Sequence, residues 1–464
     1  MSHAVAALDG LGLSDDQIST TSADRTDHAH DWGTPREEGV EPDVVVWPES
    51  TADVAAVMRA ANDHGVPVTP YAAGTSLEGN AVPVEGGISL DVTRMDAVHE
   101  VRPDDLQVDV GPGLLGSAVN EAVARHGLFL PSLPASGNIS TIGGMLANDA
   151  SGMKTVKYGE VADWALEVEA VLPTGEVITA GSKAAKTSSG YNLRDLIVGS
   201  EGTLAIITRA TMRLTGRPEQ IRGGRALFDA LDDAAQAVFD AVRSGVDVAK
   251  IELVDRLSAE IANDHLDADL PDRPMVFVEF HANHGVEAEI DFCRTVFESH
   301  DARRFEVADS EAEMADLWEV RRELAEALAP YAPDMKPLTP GDVTVPISEY
   351  PEIIEYAKGL AEEHDLQIPC FGHAGDGNLH YTVYVDPTDP DHVALGEAAS
   401  ADIVDRAIEL GGTSTGEHGI GLGKQAYVAK EHGEAAVDAM RAVKRALDPN
   451  GVLNPGKVFD GPER

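Results

Sequence analysis

Regular structure is expected to start at the apolar run Val44–Trp47, which predicts a strand. Directly after it, Val54, Val57, Met58 and Ala61 recur at helical spacing, Ser50 and Asp53 make a capping-box pattern, and Gly65 supplies a stop. With the following GVPV the segment reads strand, helix, strand. Further strands are predicted in GISLDV and LQVDVGPG, and a helix in GSAVNEAVARHG ending at Gly127. ALEVEAVLPTGEVITA reads as a hairpin turning at Thr174-Gly175. This order is α+β and not a doubly wound nucleotide fold. Residues 1–40 are polar and irregular, and HAHDWGTPREEG reads as a pinned loop before the first strand.

Around Thr215–Gly224 the pattern changes to longer amphipathic helices, 226–243 and 310–329, separated by the strand-like PMVFVEFH. The stretch 396–447 is again helical, interrupted by GGTSTGEHGIGLGK, and the tail closes with DPNGVLNPGK. The expected organisation is an extension at 1–40, a first domain at 41–220, a second at 221–415 and a returning C-terminal segment at 416–464.

A length of 464 residues fits two or three domains, and 44 glycines among them call for loops with special geometry. Thirty-five Lys and Arg against 80 Asp and Glu give a net charge of −45, which disfavours nucleic acid as a partner. The acids are spread over the whole length, as in a coat adapted to multimolar salt, where screening shortens to roughly 3 Å at 1 M. Cys293 and Cys370 form no CxxC motif and predict no bridge, in keeping with a reducing cytoplasm. No run of about 18 apolar residues is present, so the expected location is cytoplasmic, with any membrane association peripheral at the inner face.

Three glycine-rich, hydroxyl-bearing stretches lie in the first domain: Pro70–Asn80, Ser140–Gly152 and Gly199–Leu204. None is GxGxxG, and none is GxxxxGK followed by Ser or Thr, so neither a Rossmann site nor a P-loop is indicated. Small residues let peptide N–H groups approach an anion, and three such loops point to a long ligand in an extended groove. A dinucleotide has that length.

PVTPYAAGTSLEGN, STIGGMLANDASGMKTVKYG, GSEGTLAIIT, FGHAGDGNLH, GGTSTGEHGIGLGK and ALDPNGVLNPGK, in this order, resemble the FAD-linked oxidases of the vanillyl-alcohol oxidase and p-cresol methylhydroxylase type. Within that group the resemblance is to the glycolate oxidase FAD-binding subunit, D-lactate dehydrogenase and D-2-hydroxyglutarate dehydrogenase branch. It runs from about residue 40 to the end. It implies an α+β, two-domain p-cresol-methylhydroxylase-type FAD-binding fold with an antiparallel-sheet substrate (cap) domain. It also implies that Ala73, Gly74, Thr75, Ser76, Leu77, Gly79 and Asn80 wrap the pyrophosphate. Gly143, Gly144, Asn148, Ser151 and Gly152 then lie along the ribityl and isoalloxazine side, and Glu201, Gly202, Thr203 and Ile206 nearer the adenosine. Pro134, Tyr158 and Asn454 complete the implied cofactor set. Two departures are Ala205, where the group carries Gly, and the Pro134-Ala-Ser-Gly-Asn stretch. No His or Cys stands at a familiar attachment position, so the FAD is expected to be non-covalent.

LQIPCFGHAGDGNLHYTVYV holds two strand-like runs joined through GHAGDGNLH, with His373 and His380 at the shoulders. A hairpin there lets the imidazoles face one another across about 5 Å. Such a pair suits a divalent metal, but taken in isolation it reads first as turn capping through backbone hydrogen bonds. Gly416-Glu417-His418-Gly419 tips the reading toward chemistry. In the resembling group the two histidines and this glutamate ligate zinc or a similar ion and the adjacent histidine is the base, which assigns His373, His380 and Glu417 as ligands and His418 as base. Leu317-Trp318-Glu-Val-Arg321 matches the group's LWxxR pattern, making Arg321 the candidate carboxylate anchor, since a guanidinium grips a carboxylate in two places. Lys336 is a second candidate cation, and Asn378 either contacts substrate or holds its turn.

The resulting expectation is a 2-hydroxy acid dehydrogenase in which His418 removes the hydroxyl proton and hydride passes from C2 to the flavin. With no haem motif and no iron–sulfur cysteine set, an external acceptor is required: a quinone, a cytochrome or an electron-transfer flavoprotein. A homodimer is the expected assembly. The rival readings are an ether-lipid synthase or alcohol oxidase of the same fold, against which the histidine pair and GEHG argue, and a non-catalytic flavin subunit of a multi-subunit glycolate oxidase.

Overall fold

The computed structural model describes residues 2–266, 269–308, 311–328, 331–332 and 334–459. It divides into two compact units, one formed by Met1–Ser151, Glu160–Arg217 and Glu417–Arg464, the other by Gly152–Gly159 and Pro218–Gly416. The segment 152–159, expected in the first domain, therefore belongs with the second unit.

In the first unit, the strands Val44–Val46, Ile88–Asp91 and Val68–Tyr71 run parallel. The helix Thr51–His64 drops Val54, Val57, Met58 and Ala61 into a core shared with Val44, Val46, Val68, Ile88 and Leu90. Each such Val, Ile, Leu or Met side chain contributes about 1.5–3 kcal/mol by leaving water. Ser50 Oγ accepts from Asp53 N at 3.2 Å, and Gly65 ends the helix at φ +65°. The other arm of the capping box is displaced by one residue, because Asp53 Oδ2 takes Glu49 N at 3.0 Å. A second, antiparallel sheet orders Val98–Arg102, Gln107–Val110, Ile206–Arg213, Ala165–Val171 and Val177–Gly181.

Residues 1–40 are more regular than their polar composition predicts. Helices His3–Ala7 and Ser22–Asp27 are capped by Ser2 Oγ and Thr21 Oγ1, and Ile18–Ser19 adds an antiparallel strand to Val44–Val46. Ala4, Ala7 and Leu8 enter the same core. Side-chain to backbone bonds do there what an apolar stripe does elsewhere, and hydropathy patterns do not register them.

The second unit is built on a seven-stranded antiparallel sheet in the order Arg304–Val307, Gln220–Leu227, Met275–Ala282, Lys250–Val254, Cys370–Gly372, Asn378–Tyr381 and Gly341–Thr344. Residues 226–227 finish a strand paired with 275–276, so the helix expected from 226 starts only at Leu231. The helix expected at 310–329 is Glu311–Leu328, with 310 and 329 outside the described residues. Side chains alternate between faces along each strand. Ile251, Leu253, Val276, Val278 and Phe280 point one way and are buried. Lys250, Glu252, Glu279 and His281 point the other way and are buried as well. This second face is lined with buried polar side chains.

No helix among the described residues is long and apolar enough to cross a membrane. Cys293 and Cys370 are free, buried thiols, and burial pushes both up to about 12, which keeps them unreactive.

Candidate active site

The polar face of the second unit collects side chains from five stretches of sequence. Phe371 and His380 are register partners across the hairpin, and His373 follows on the same face two residues beyond Phe371. The two imidazole rings stand 5.0 Å apart between centroids and perpendicular to one another, both buried. His373 Nδ1 lies 2.8 and 3.0 Å from the two oxygens of Glu252, whose Oε2 also receives Arg321 Nη2 at 2.5 Å. Arg321 and Trp318 are one turn apart on the helix Glu311–Leu328, as Glu252 and Lys250 are two apart on their strand. Lys250 Nζ sits 4.2 Å from the Trp318 ring centre, and the Arg321 guanidinium lies 5.0 Å from that of Phe371. Arg321 Nε is buried with no hydrogen-bond partner among the described residues.

A parallel chain of polar groups occupies the neighbouring strands. Lys250 Nζ reaches Glu279 at 3.0 Å, Glu279 meets His281 Nε2 at 2.8 Å, and Tyr158 Oη meets His281 Nδ1 at 2.8 Å. Burial alone would raise the Glu279 carboxyl, but the His281 hydrogen bond and the Lys250 charge hold it below its usual range. Lys154 is pushed down to about 8 by burial, with the Lys250 charge acting in the same direction. Tyr158, expected along the cofactor, is engaged by His281 and pushed up to about 12, mainly by burial.

Asn378 holds its turn: Nδ2 donates to Asp342 Oδ1 at 2.7 Å and to Thr344 Oγ1 at 3.0 Å. Asp342 Oδ2 in turn accepts from Thr415 Oγ1 at 3.0 Å and Gly416 N at 2.9 Å. A Cβ on Gly416 would lie 2.2 Å from Asn378 Nδ2 and 2.3 Å from Thr344 Oγ1, so a larger residue here would have to displace these two side chains. Gly416 is the last residue of the unit, and Glu417 and His418 are the next two along the chain. Lys336, the second expected cation, is exposed on the short strand Lys336–Pro337.

In the first unit the returning segment is fixed just as closely. Asn148 Nδ2 donates to Glu417 O at 2.5 Å, and Ser151 Oγ lies 3.3 Å from Glu417 Oε2. His418 Nδ1 is 3.8 Å from Glu78 Oε1, which Lys424 Nζ approaches to 3.4 Å. Glu201 accepts from Ile420 N and Gly421 N, both at 2.8 Å, and from Asn80 Nδ2 at 2.5 Å. Burial raises its carboxyl even so. Asn454 Nδ2 bonds Glu201 O at 2.9 Å and Asn80 O at 3.2 Å. Asn80, Glu201 and Asn454 thus lace three loops together with side chains that the resemblance had assigned to cofactor.

The glycine-rich loops divide by what surrounds them. At Gly143 a Cβ would meet Pro112 Cβ at 2.6 Å, at Gly79 it would meet Leu422 at 2.9 Å, and at Gly202 it would meet Pro70 at 3.1 Å, so these glycines admit the protein's own atoms. Gly74 has φ +63° and lies under Tyr71. The first loop is also strapped by the N-terminal segment, through Trp32 N to Gly74 O at 2.9 Å and Gly33 N to Ser76 O at 3.1 Å. Ser76 Oγ is turned to Asp31 at 2.7 Å, away from the anion-binding role expected of it, while Thr75 Oγ1 meets Ser140 Oγ at 3.1 Å. Thr203 Oγ1 caps Ser200 O at 2.7 Å, Ile206 is buried at the start of its strand, and Pro134 O receives Gly137 N at 3.0 Å. Ala73 and Leu77 border the same loop, and Gly152 falls in the second unit.

Gly144 differs from the other glycines. It is exposed between buried Gly143 and Met145, and a Cβ there would meet nothing closer than Thr141 Oγ1 at 3.4 Å. The opening beside it is room that a cofactor lying on this loop requires, so the first unit fits a bound FAD. Gly144→Val is expected to give a folded but colourless protein; stoichiometric flavin in the purified variant would contradict this.

An α+β unit with laced glycine loops, joined to an antiparallel sheet bearing paired imidazoles, defines a flavin-dependent oxidoreductase of the p-cresol-methylhydroxylase fold type. Residues 42–181 match the FAD binding domain family and residues 217–458 match the FAD linked oxidases, C-terminal domain. The chain belongs to the FAD-linked oxidases. It is 36% identical over 448 residues to the glycolate oxidase subunit GlcD of Bacillus subtilis (strain 168), covering 96% of this chain and 94% of that one. It is 34% identical over 419 residues to the mitochondrial D-lactate dehydrogenase (cytochrome) of Arabidopsis thaliana, covering 90% and 73%. Among solved structures, p-cresol methylhydroxylase with substrate bound superposes with a TM-score of 0.79 at 18% identity, covering 98% of this chain and 96% of that one, a likeness of fold.

Proposed function

We propose that this FAD-dependent oxidoreductase is a dehydrogenase that oxidises a small D-2-hydroxy acid of the lactate, glycolate or hydroxyglutarate kind to the 2-oxo acid, with His373, His380 and Glu417 holding a divalent metal, zinc first among the candidates. The observation that carries this is the pair of buried, perpendicular imidazoles on one hairpin. Their donor chemistry suits a zinc-like ion. The relatives' names, glycolate oxidase subunit and D-lactate dehydrogenase, favour the substrate class.

When bound, FAD supplies the two-electron acceptor and the metal the Lewis acidity that lowers the hydroxyl pKa. The chain's own residues do the rest. Arg321, anchored through Nη2 on Glu252, keeps its buried Nε for the substrate carboxylate. His418 takes the hydroxyl proton, and the nearby Glu78 carboxylate stabilises the imidazolium so formed. Electrons leave to an external acceptor, in line with the cytochrome named for the Arabidopsis relative. A homodimer in a reducing cytoplasm completes the reading.

The test is anaerobic mixing of the purified flavoprotein with the enantiomers of lactate and 2-hydroxyglutarate and with glycolate. Bleaching of the oxidised flavin by a D-acid or glycolate is expected. Failure of every acid to bleach it would favour a non-catalytic subunit, the reading that the word subunit in the Bacillus name keeps in view.

A further inference from the structure

Glu252 belongs to none of the ligand, base or anchor assignments above, yet its surroundings are specific. Its side chain is wholly inaccessible, and its two partners, Arg321 and His373, are 5% and 8% exposed. The guanidinium has only donors to offer, and it takes Oε2 at 2.5 Å. The carboxylate is therefore an acceptor toward the imidazole too, at 2.8 Å from Oε1 and 3.0 Å from Oε2. It follows that His373 Nδ1 carries a ring proton, which leaves Nε2 as the nitrogen able to offer a lone pair.

A buried charged trio of this kind is an expensive way to fill space, since apolar side chains of similar volume stabilise a core as well or better. Metal-binding histidines, by contrast, commonly donate their second nitrogen to a carboxylate, which sets tautomer, orientation and basicity. We propose that Glu252 is a positioning residue that locks His373 with Nε2 unprotonated and presented to a divalent cation, Arg321 serving as the counter-charge that makes a buried carboxylate tolerable there. This rests on the metal assignment above, and it gives Arg321 a second duty besides any grip on substrate.

The test uses the flavoprotein after metal removal by chelator, with histidines labelled by ¹⁵N and the His373→Asn spectrum identifying the His373 signals. The wild type is expected to show His373 protonated at Nδ1, a reading that needs no metal and no activity. Glu252→Gln should lose Zn²⁺ or Co²⁺ affinity by about 10–100-fold in chelator competition while retaining flavin, and Glu252→Asp should recover part of that loss. His373 protonated at Nε2 in the wild type, or a Glu252→Gln protein binding Co²⁺ with wild-type affinity and visible spectrum, overturns the proposal. If Glu252→Gln does not fold, the wild-type imidazole spectrum decides by itself. A wild type with Nδ1–H and no uptake of either ion would overturn the metal assignment instead, and with it the purpose given to Glu252.

Discussion

Replacing His418 by alanine is expected to slow flavin reduction by about 10²–10⁴-fold, the usual worth of a general base, while leaving flavin and metal content unchanged. The geometry makes this a clean substitution. His418 is half-buried in a loop whose course is set by its neighbours: Glu417 O is held by Asn148, Ile420 N and Gly421 N are held by Glu201, and Gly419 sits at φ +81° against Asn148 and Asn80. None of those bonds uses the imidazole, so they still hold the loop when the side chain is truncated. Glu417→Ala should behave differently, lowering metal content and rate together, with partial recovery in excess Zn²⁺ or Mn²⁺. Chelator treatment should reproduce the Glu417 variant and not the His418 variant. Stopped-flow reduction beside metal analysis separates the two, and a His418→Ala enzyme reduced at the wild-type rate would end the assignment of the base.

The second large effect concerns salt. The helix Tyr350–His364 buries Ile353, Ile354, Ala357 and Leu360 and exposes Glu352, Glu355, Glu362 and Glu363. Its one lysine, Lys358, is committed to Asp255 at 2.7 Å. Repeated over a chain of net charge −45, such faces repel one another across distances that about 0.1 M salt, with a screening length near 10 Å, does not cover and about 1 M salt, near 3 Å, does. Lowering NaCl between those concentrations is expected to reduce stability by a few kcal/mol; a loss of about 3 kcal/mol corresponds to a fall of roughly 6–12 °C in Tm. A melting temperature indifferent to salt would show that the acidic coat is not an adaptation to brine.

How far the molecule could be read from its sequence depended on whether a signal was local. The strand, helix, strand opening was legible because Ser50, the 3.6-residue apolar spacing and Gly65 lie within sixteen residues. The hairpin around GHAGDGNLH was legible for the same reason, and the 5.0 Å ring separation matches what a hairpin imposes. Glu252 was not legible. KIELV alternates charged and apolar positions just as a strand with one wet face does, and only the helix carrying Trp318 and Arg321 reveals that both faces are covered. Its partners lie 69 and 121 residues away, beyond any window. The lacing of Asn80, Glu201 and Asn454 was hidden likewise, and glycines read as openings for an anion proved in several places to be openings for the chain itself. The transfer of 152–159 to the second unit leaves no compositional trace.

The division of the chain also fixes an order of completion during synthesis. Every residue of the second unit has been made once Gly416 is added, whereas the first unit, begun at the N-terminus, still lacks Glu417–Arg464. Until those residues arrive, Val68 has no Val452 O to receive its N–H and no Asn454 N to bond its carbonyl, both at 2.7 Å in the finished fold, and Val452 and Leu453 are missing from the core. Lys444, which ties Thr203 O to Leu453 O, is also still to come. The half translated first is therefore sealed last. The packing of the first unit is not complete before Glu417–Arg464 have joined it.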